Sequence, residues 1–89
     1  MIKKILTIIN KLGLHARAAS KLSDLATRFQ CRIHIQHRGR NLDVKDILSV
    51  LVLGASQGTE LTFEFEGPQE IEACDAIEKL ILERFGEEE

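Results

Sequence analysis

The chain has 89 residues, of which 44% are hydrophobic and 29% charged, with one Pro and six Gly, enough for one core and one domain over residues 1–89. This composition excludes collagen-like, disordered and disulfide-scaffold classes, and no apolar run approaches the ~20 residues of a membrane-spanning helix. The net charge of −2 divides unevenly: residues 1–40 carry a balance of +8 and residues 41–89 one of −10, so only the first part attracts an anion or an acidic partner.

Ile2 to Ile9 is Ile-rich and bounded by Asn10-Lys11-Leu12-Gly13, which predicts a strand and then a loop. The stretch is short, contains Thr7 and lacks a small-residue cleavage site, so it reads as a strand rather than a signal peptide. From Ala16 the period changes. Ala18, Leu22, Leu25, Ala26 and Phe29 fall on one face of a helix, with Lys21, Asp24 and Arg28 on the other. No Ser, Thr, Asp or Asn directly precedes this helix, which leaves Leu14 or His15 at its cap.

Residues 31–37 alternate as a half-buried strand, and Arg38-Gly39-Arg40-Asn41 reads as a hairpin turn into a short strand over 42–44. Asp46 and Gly54 bracket Ile47-Leu48-Ser49-Val50-Leu51-Val52-Leu53, predicting an N-cap, a short helix and a C-cap, although the apolar run alone also fits a strand. Ser56 to Thr59 is a turn, and Leu61, Phe63 and Phe65 alternate with Thr62, Glu64 and Glu66 as a further strand. After Gly67-Pro68, the set Ala73, Cys74, Ile77, Leu80, Ile81 and Phe85 has helical spacing, ended by Gly86 and three Glu.

The sum is β-α-β-β-α-β-α, an α+β protein. Strands with one wet face predict a four-stranded antiparallel sheet covered on one face by three helices, an open-faced β-sandwich. Cys31 and Cys74 lie far apart and outside any CxxC, which fits a reducing cytoplasm with both thiols packed as small hydrophobes rather than a disulfide.

The chemistry concentrates in Gly13-Leu14-His15-Ala16-Arg17, where the first strand passes into the first helix. A helix start presents unpaired backbone N–H groups and the positive end of the dipole, worth about 0.3–1 kcal/mol to an anion. His15 places an imidazole there, Arg17 adds a fixed positive charge, and Gly13 permits a tight approach of the chain. His15 can bind an anion, or it can be the nucleophile that accepts a phosphoryl group among helix N–H donors. The plain alternative is an exposed histidine at a helix cap.

Gly13-Leu14-His15-Ala16-Arg17 followed by Ala18-Ala19 resembles the active-site signature of the HPr family, the histidine phosphocarrier proteins of the phosphoenolpyruvate-dependent phosphotransferase system. The element order, the short apolar helix after Val44-Lys45-Asp46 and the turn Leu53-Gly54-Ala55-Ser56-Gln57-Gly58 extend the resemblance over essentially the whole chain. The resemblance implies a bacterial carrier rather than a turnover enzyme. His15 takes a phosphoryl group, in the family on Nδ1, from enzyme I and passes it to an enzyme IIA domain. It implies Ala16, Arg17 and Ala18 as the phosphate-binding residues, with Arg17 the electrostatic partner. It implies docking through Ile47, Leu48 and Leu51, ringed by Lys21, Lys45 and Arg17. A cytoplasmic monomer with no cofactor, no metal, no nucleic acid and no membrane insertion completes the expectation.

Three positions depart from the family pattern. Ala18 stands where Pro is usual and restores an N–H, one more donor for a phosphate. Asp46 stands at the family's regulatory serine, which removes the hydroxyl that an ATP-dependent kinase modifies, and Ser49 one turn on reads as an ordinary helix residue. Asp24 puts an acid on the outer face of the first helix. The tetrapeptides Asn10-Lys11-Leu12-Gly13 and Gly67-Pro68-Gln69-Glu70 resemble the nitrogen-related branch, with sugar transport the alternative.

Other features carry less. His34 and His37 point to opposite faces of their strand and do not share a metal. Arg38-Gly39-Arg40 has no Tyr or Trp nearby to stack bases. Readings outside the carrier class are a regulatory protein that binds partners without phosphate and a small RNA-binding α/β domain.

Overall fold

The computed structural model describes residues 1–89. Its elements are β1 (Ile2–Thr7), α1 (Ala16–Ala26), β2 (Arg32–His37), β3 (Arg40–Asp43), α2 (Ile47–Leu53), β4 (Glu60–Glu66) and α3 (Glu70–Leu82), with a 3₁₀ turn at Arg84–Gly86. The strands form one antiparallel sheet in the order β1-β4-β2-β3, so the last strand in sequence is inserted at the centre. Register follows the pleat: Ile2 and Ile33 flank Phe65, Ile35 pairs with Phe63 and Leu42, and all face the helices. Phe63 and Phe65 stack with ring centroids 6.1 Å apart. The opposite pleat carries Lys3, Thr62, Glu64, His34 and Gln36 to the open face, where Lys3 pairs with Glu64 at 3.4 Å.

The expected α+β sandwich with helices on one face is therefore present, but several boundaries move. The turn between β2 and β3 needs only Arg38 and Gly39, both left-handed at φ 51° and 77°, so β3 begins at Arg40 rather than at Leu42. α1 stops at Ala26, where the amides of Arg28 and Phe29 turn to the carbonyls of Leu25 and Ala26, so Phe29 packs from beyond the helix. α3 stops at Leu82. Phe85 still reaches the core, from a reversed chain rather than from the helix face. Both cysteines are free and buried, and burial raises both thiol pKa values.

The placement of α2 prepares the site. Leu14 N–H donates to Ala55 O at 2.8 Å, joining the start of α1 to the end of α2, while Ser23 Oγ donates to Lys45 O at 2.9 Å, joining the later half of α1 to the chain before α2. The two helices thus run side by side in opposite directions. Asp46 caps α2 by accepting from Leu48 N–H at 3.1 Å, and Gly54 ends it in the left-handed conformation.

Candidate functional site

The site is built from the β1–α1 loop. Asn10 is fully buried, and its Nδ2 donates to Gly13 O at 2.8 Å, while Gly13 N–H donates to Asn10 O at 3.2 Å. Gly13 is left-handed at φ +67°, and a Cβ there would lie 2.4 Å from Ala55 O, so only glycine brings the two loops this close. Leu14 then buries its side chain, and His15 follows in extended conformation as the N-cap of α1.

His15 gives α1 no side-chain cap. Its carbonyl accepts from Ala19 N–H at 2.8 Å, the first bond of the helix, so the amides of Ala16, Arg17 and Ala18 have no partner in the fold. Three free N–H groups and the dipole therefore converge beside the imidazole, an arrangement suited to a tetrahedral anion. Ala18 itself is buried, whereas Ala16 and Arg17 are exposed. The Arg17 side chain makes no ion pair or hydrogen bond within the fold.

The ring of His15 is already engaged on one side. Its Nε2 lies 2.5 Å from Glu87 Oε2, and the other carboxylate oxygen, Oε1, accepts from Asn10 Nδ2 at 3.1 Å. Those bonds, with the charges of His15 and Arg17, hold the Glu87 carboxyl below the ordinary range of a glutamate against the opposing effect of burial. The side chains of His15 and Glu87 are 29% and 16% exposed, so the imidazole is held yet still reachable. Nδ1 has no partner.

The other residues read from the sequence are spread along α1 and α2. Lys21 donates to Phe85 O at 2.7 Å, one turn beyond Arg17, and Lys45 donates to Phe29 O at 2.8 Å, past the far end of α1. Arg17 and Lys45 thus lie at opposite ends of the α1–α2 pair. Ile47, Leu48 and Leu51 are exposed, and Val52, 67% exposed, completes their face, while Val50 alone is buried. Asp24, in the last turn of α1, pairs with Arg28 just beyond the helix at 3.3 Å, away from the first turn. Ser49 is bound to the cap, its Oγ donating to Asp46 at 3.0 Å. Sequence reasoning missed Asn10, Val52 and Glu87. Nothing in the spacing of Glu87 links it to a residue 72 positions earlier.

The sequence model of the family described as "PTS HPr component phosphorylation site" matches residues 2–83. The chain belongs to the HPr family. It is similar to the phosphocarrier protein HPr of Cupriavidus necator, 48% identical over 89 residues with both chains fully covered. The phosphocarrier protein HPr of Pseudomonas aeruginosa is 48% identical over 88 residues and covers 94% of each chain. Among solved structures, an HPr from Thermoanaerobacter tengcongensis superposes with a TM-score of 0.95 at 36% identity and full coverage of both chains. A histidine-containing phosphocarrier protein from a mycoplasma gives 0.85 at 32% identity, covering 92% of this chain and 93% of its own. As an HPr, the chain is a phosphocarrier of the phosphotransferase system: it carries a phosphoryl group between proteins and does not turn over a metabolite. No helix is long and apolar enough to cross a membrane.

Proposed function

We propose that His15 is the phosphorylated residue, taking the group on Nδ1 from enzyme I and passing it to an enzyme IIA domain. The observation that carries this reading is the set of three unpaired amides at Ala16, Arg17 and Ala18 beside the imidazole. A phosphoryl group there meets N–H donors and the free Arg17 guanidinium without leaving solvent, so it is stabilised but not enclosed. A carrier needs that balance, because either partner must be able to take the group. Nδ1 is the ring nitrogen without a partner, in keeping with the nitrogen used in the family.

The exposed apolar face of α2 supplies the docking surface in this reading: Ile47, Leu48 and Leu51, joined by Val52, flanked by Arg17, Lys21 and Lys45. The chain acts as one domain over residues 1–89, a monomer in the cytoplasm. Asp46 leaves no hydroxyl for a kinase at the regulatory position, and its carboxylate is already used as a cap.

Incubation with phosphoenolpyruvate and enzyme I, followed by intact-mass measurement, tests the assignment. The parent chain should gain one acid-labile phosphoryl group and lose it again to an added IIA acceptor, while His15→Ala gains none. Uptake by His15→Ala would overturn it, and a panel of IIA acceptors separates sugar transport from the nitrogen-related branch.

A further inference from the structure

Glu87 is an acid outside the proposed phosphate-binding set, and three consecutive left-handed residues place it against His15. Arg84, Phe85 and Gly86 are all left-handed, at φ 55°, 55° and 82°, and together they reverse the chain after α3. Phe85 fixes the reversal by burying its ring in the core, and Lys21 holds its carbonyl. The segment that follows lies along the β1–α1 loop, where Lys11 N–H donates to the Glu89 main-chain oxygen and the Lys11 ammonium pairs with the Glu89 side chain at 3.5 Å. Both oxygens of Glu87 are thereby assigned, one to His15 Nε2 and one to the buried Asn10.

An ionised carboxylate only accepts hydrogen bonds, so a neutral His15 meeting Glu87 must carry its proton on Nε2 and its lone pair on Nδ1. Resting on the assignment of His15 as phosphoryl acceptor, we propose that Glu87 is a positioning residue for the transfer: it selects this tautomer, fixes the ring, and balances the charge the ring acquires. In the forward step the Nδ1 lone pair forms a bond to phosphorus as the donor's bond to phosphorus breaks, its electron pair leaving with the donor. The ring keeps its Nε2 proton and becomes cationic, facing the Glu87 carboxylate. In onward transfer the Nδ1–P bond breaks, its electron pair returns to the ring, and the same neutral tautomer is restored. No proton moves at His15 in either direction. The role parallels that of a carboxylate that orients a catalytic histidine without taking its proton.

The test compares the parent with Glu87→Gln and Glu87→Asp, following the His15 ring nitrogens by ¹⁵N NMR and the kinetics of phosphorylation by enzyme I. Gln both donates and accepts, so in Glu87→Gln the two nitrogen shifts should converge as the form protonated on Nδ1 becomes populated. The kcat should fall about three- to tenfold with KM unchanged, the scale of one net hydrogen bond at a partly exposed site. Glu87→Asp should recover most of the rate. Unchanged ring nitrogens or an unchanged kcat in Glu87→Gln would overturn the role, and a rise in KM alone would reassign Glu87 to docking. These outcomes concern Glu87 only; the His15 assignment fails on a separate result, phosphoryl uptake by His15→Ala.

Discussion

The His15 imidazole stands between two kinds of partner, free amides at the start of its helix and an acid from the far end of the chain. Its pairing with Glu87 makes stability depend on pH in a definite direction. The folded-state pKa of Glu87 lies below the unfolded value, so the contact stabilises fully above the unfolded glutamate range and is lost as pH falls through the folded value. Denaturant midpoints for the parent and Glu87→Gln should therefore begin to converge as pH falls below about 4.3 and meet only below the lowered folded-state value, while above that range the parent should be the more stable. The amides, the imidazole and Arg17 were legible in the sequence because they are neighbours in it. Asn10 and Glu87 were not, because their roles arise only when the loop and the chain end are folded together. The three glutamates at the end read as a helix stop, which describes their composition and misses their placement.

The helix α2 shows what caps decide. Its apolar run alone also fits a strand, but Asp46 and Gly54 mark a helix, and both occupy their predicted cap positions. Asp46→Ala should cost about 1 kcal/mol in chemical denaturation, with the added loss of the Ser49 contact. Which residues of the run face outward depends on how α2 lies against α1 and β3, so Val52 could not be separated from Val50 by composition. Leu48 and Val52 are 68% and 67% exposed and should be dispensable for folding. In the double variant Leu48→Asp/Val52→Asp, the KM for enzyme I should rise at least tenfold with little change in melting temperature, since both the apolar contact and its positive surroundings are spoiled. An unchanged KM would move the docking face elsewhere.

At the scale of the whole molecule, the charge asymmetry of the sequence is partly cancelled by topology. Inserting β4 beside β1 and packing α3 over them brings the acidic part onto the basic part. Lys3 meets Glu64, Lys4 meets Glu78 at 2.8 Å, Lys11 meets Glu89, and the N-terminal amine meets Glu70 at 3.3 Å. Arg17 is left without an ion pair beside His15, where we propose that the phosphoryl group is received. The element order and the one-sided helical layer could be read from period and turns, but the strand order that produces this cancellation could not. It follows from long-range pairing of faces that alternate in the same way. Individual surface pairs of this kind contribute little to stability, so their consequence lies in where positive charge remains. The most direct measurement is a ¹H–¹⁵N and ³¹P NMR comparison before and after phosphorylation by enzyme I and phosphoenolpyruvate. Phosphorus bonded to Nδ1, with large downfield shifts concentrated on the Ala16, Arg17 and Ala18 amides, is the expected result; phosphorylation that leaves those three amides unmoved would contradict the site.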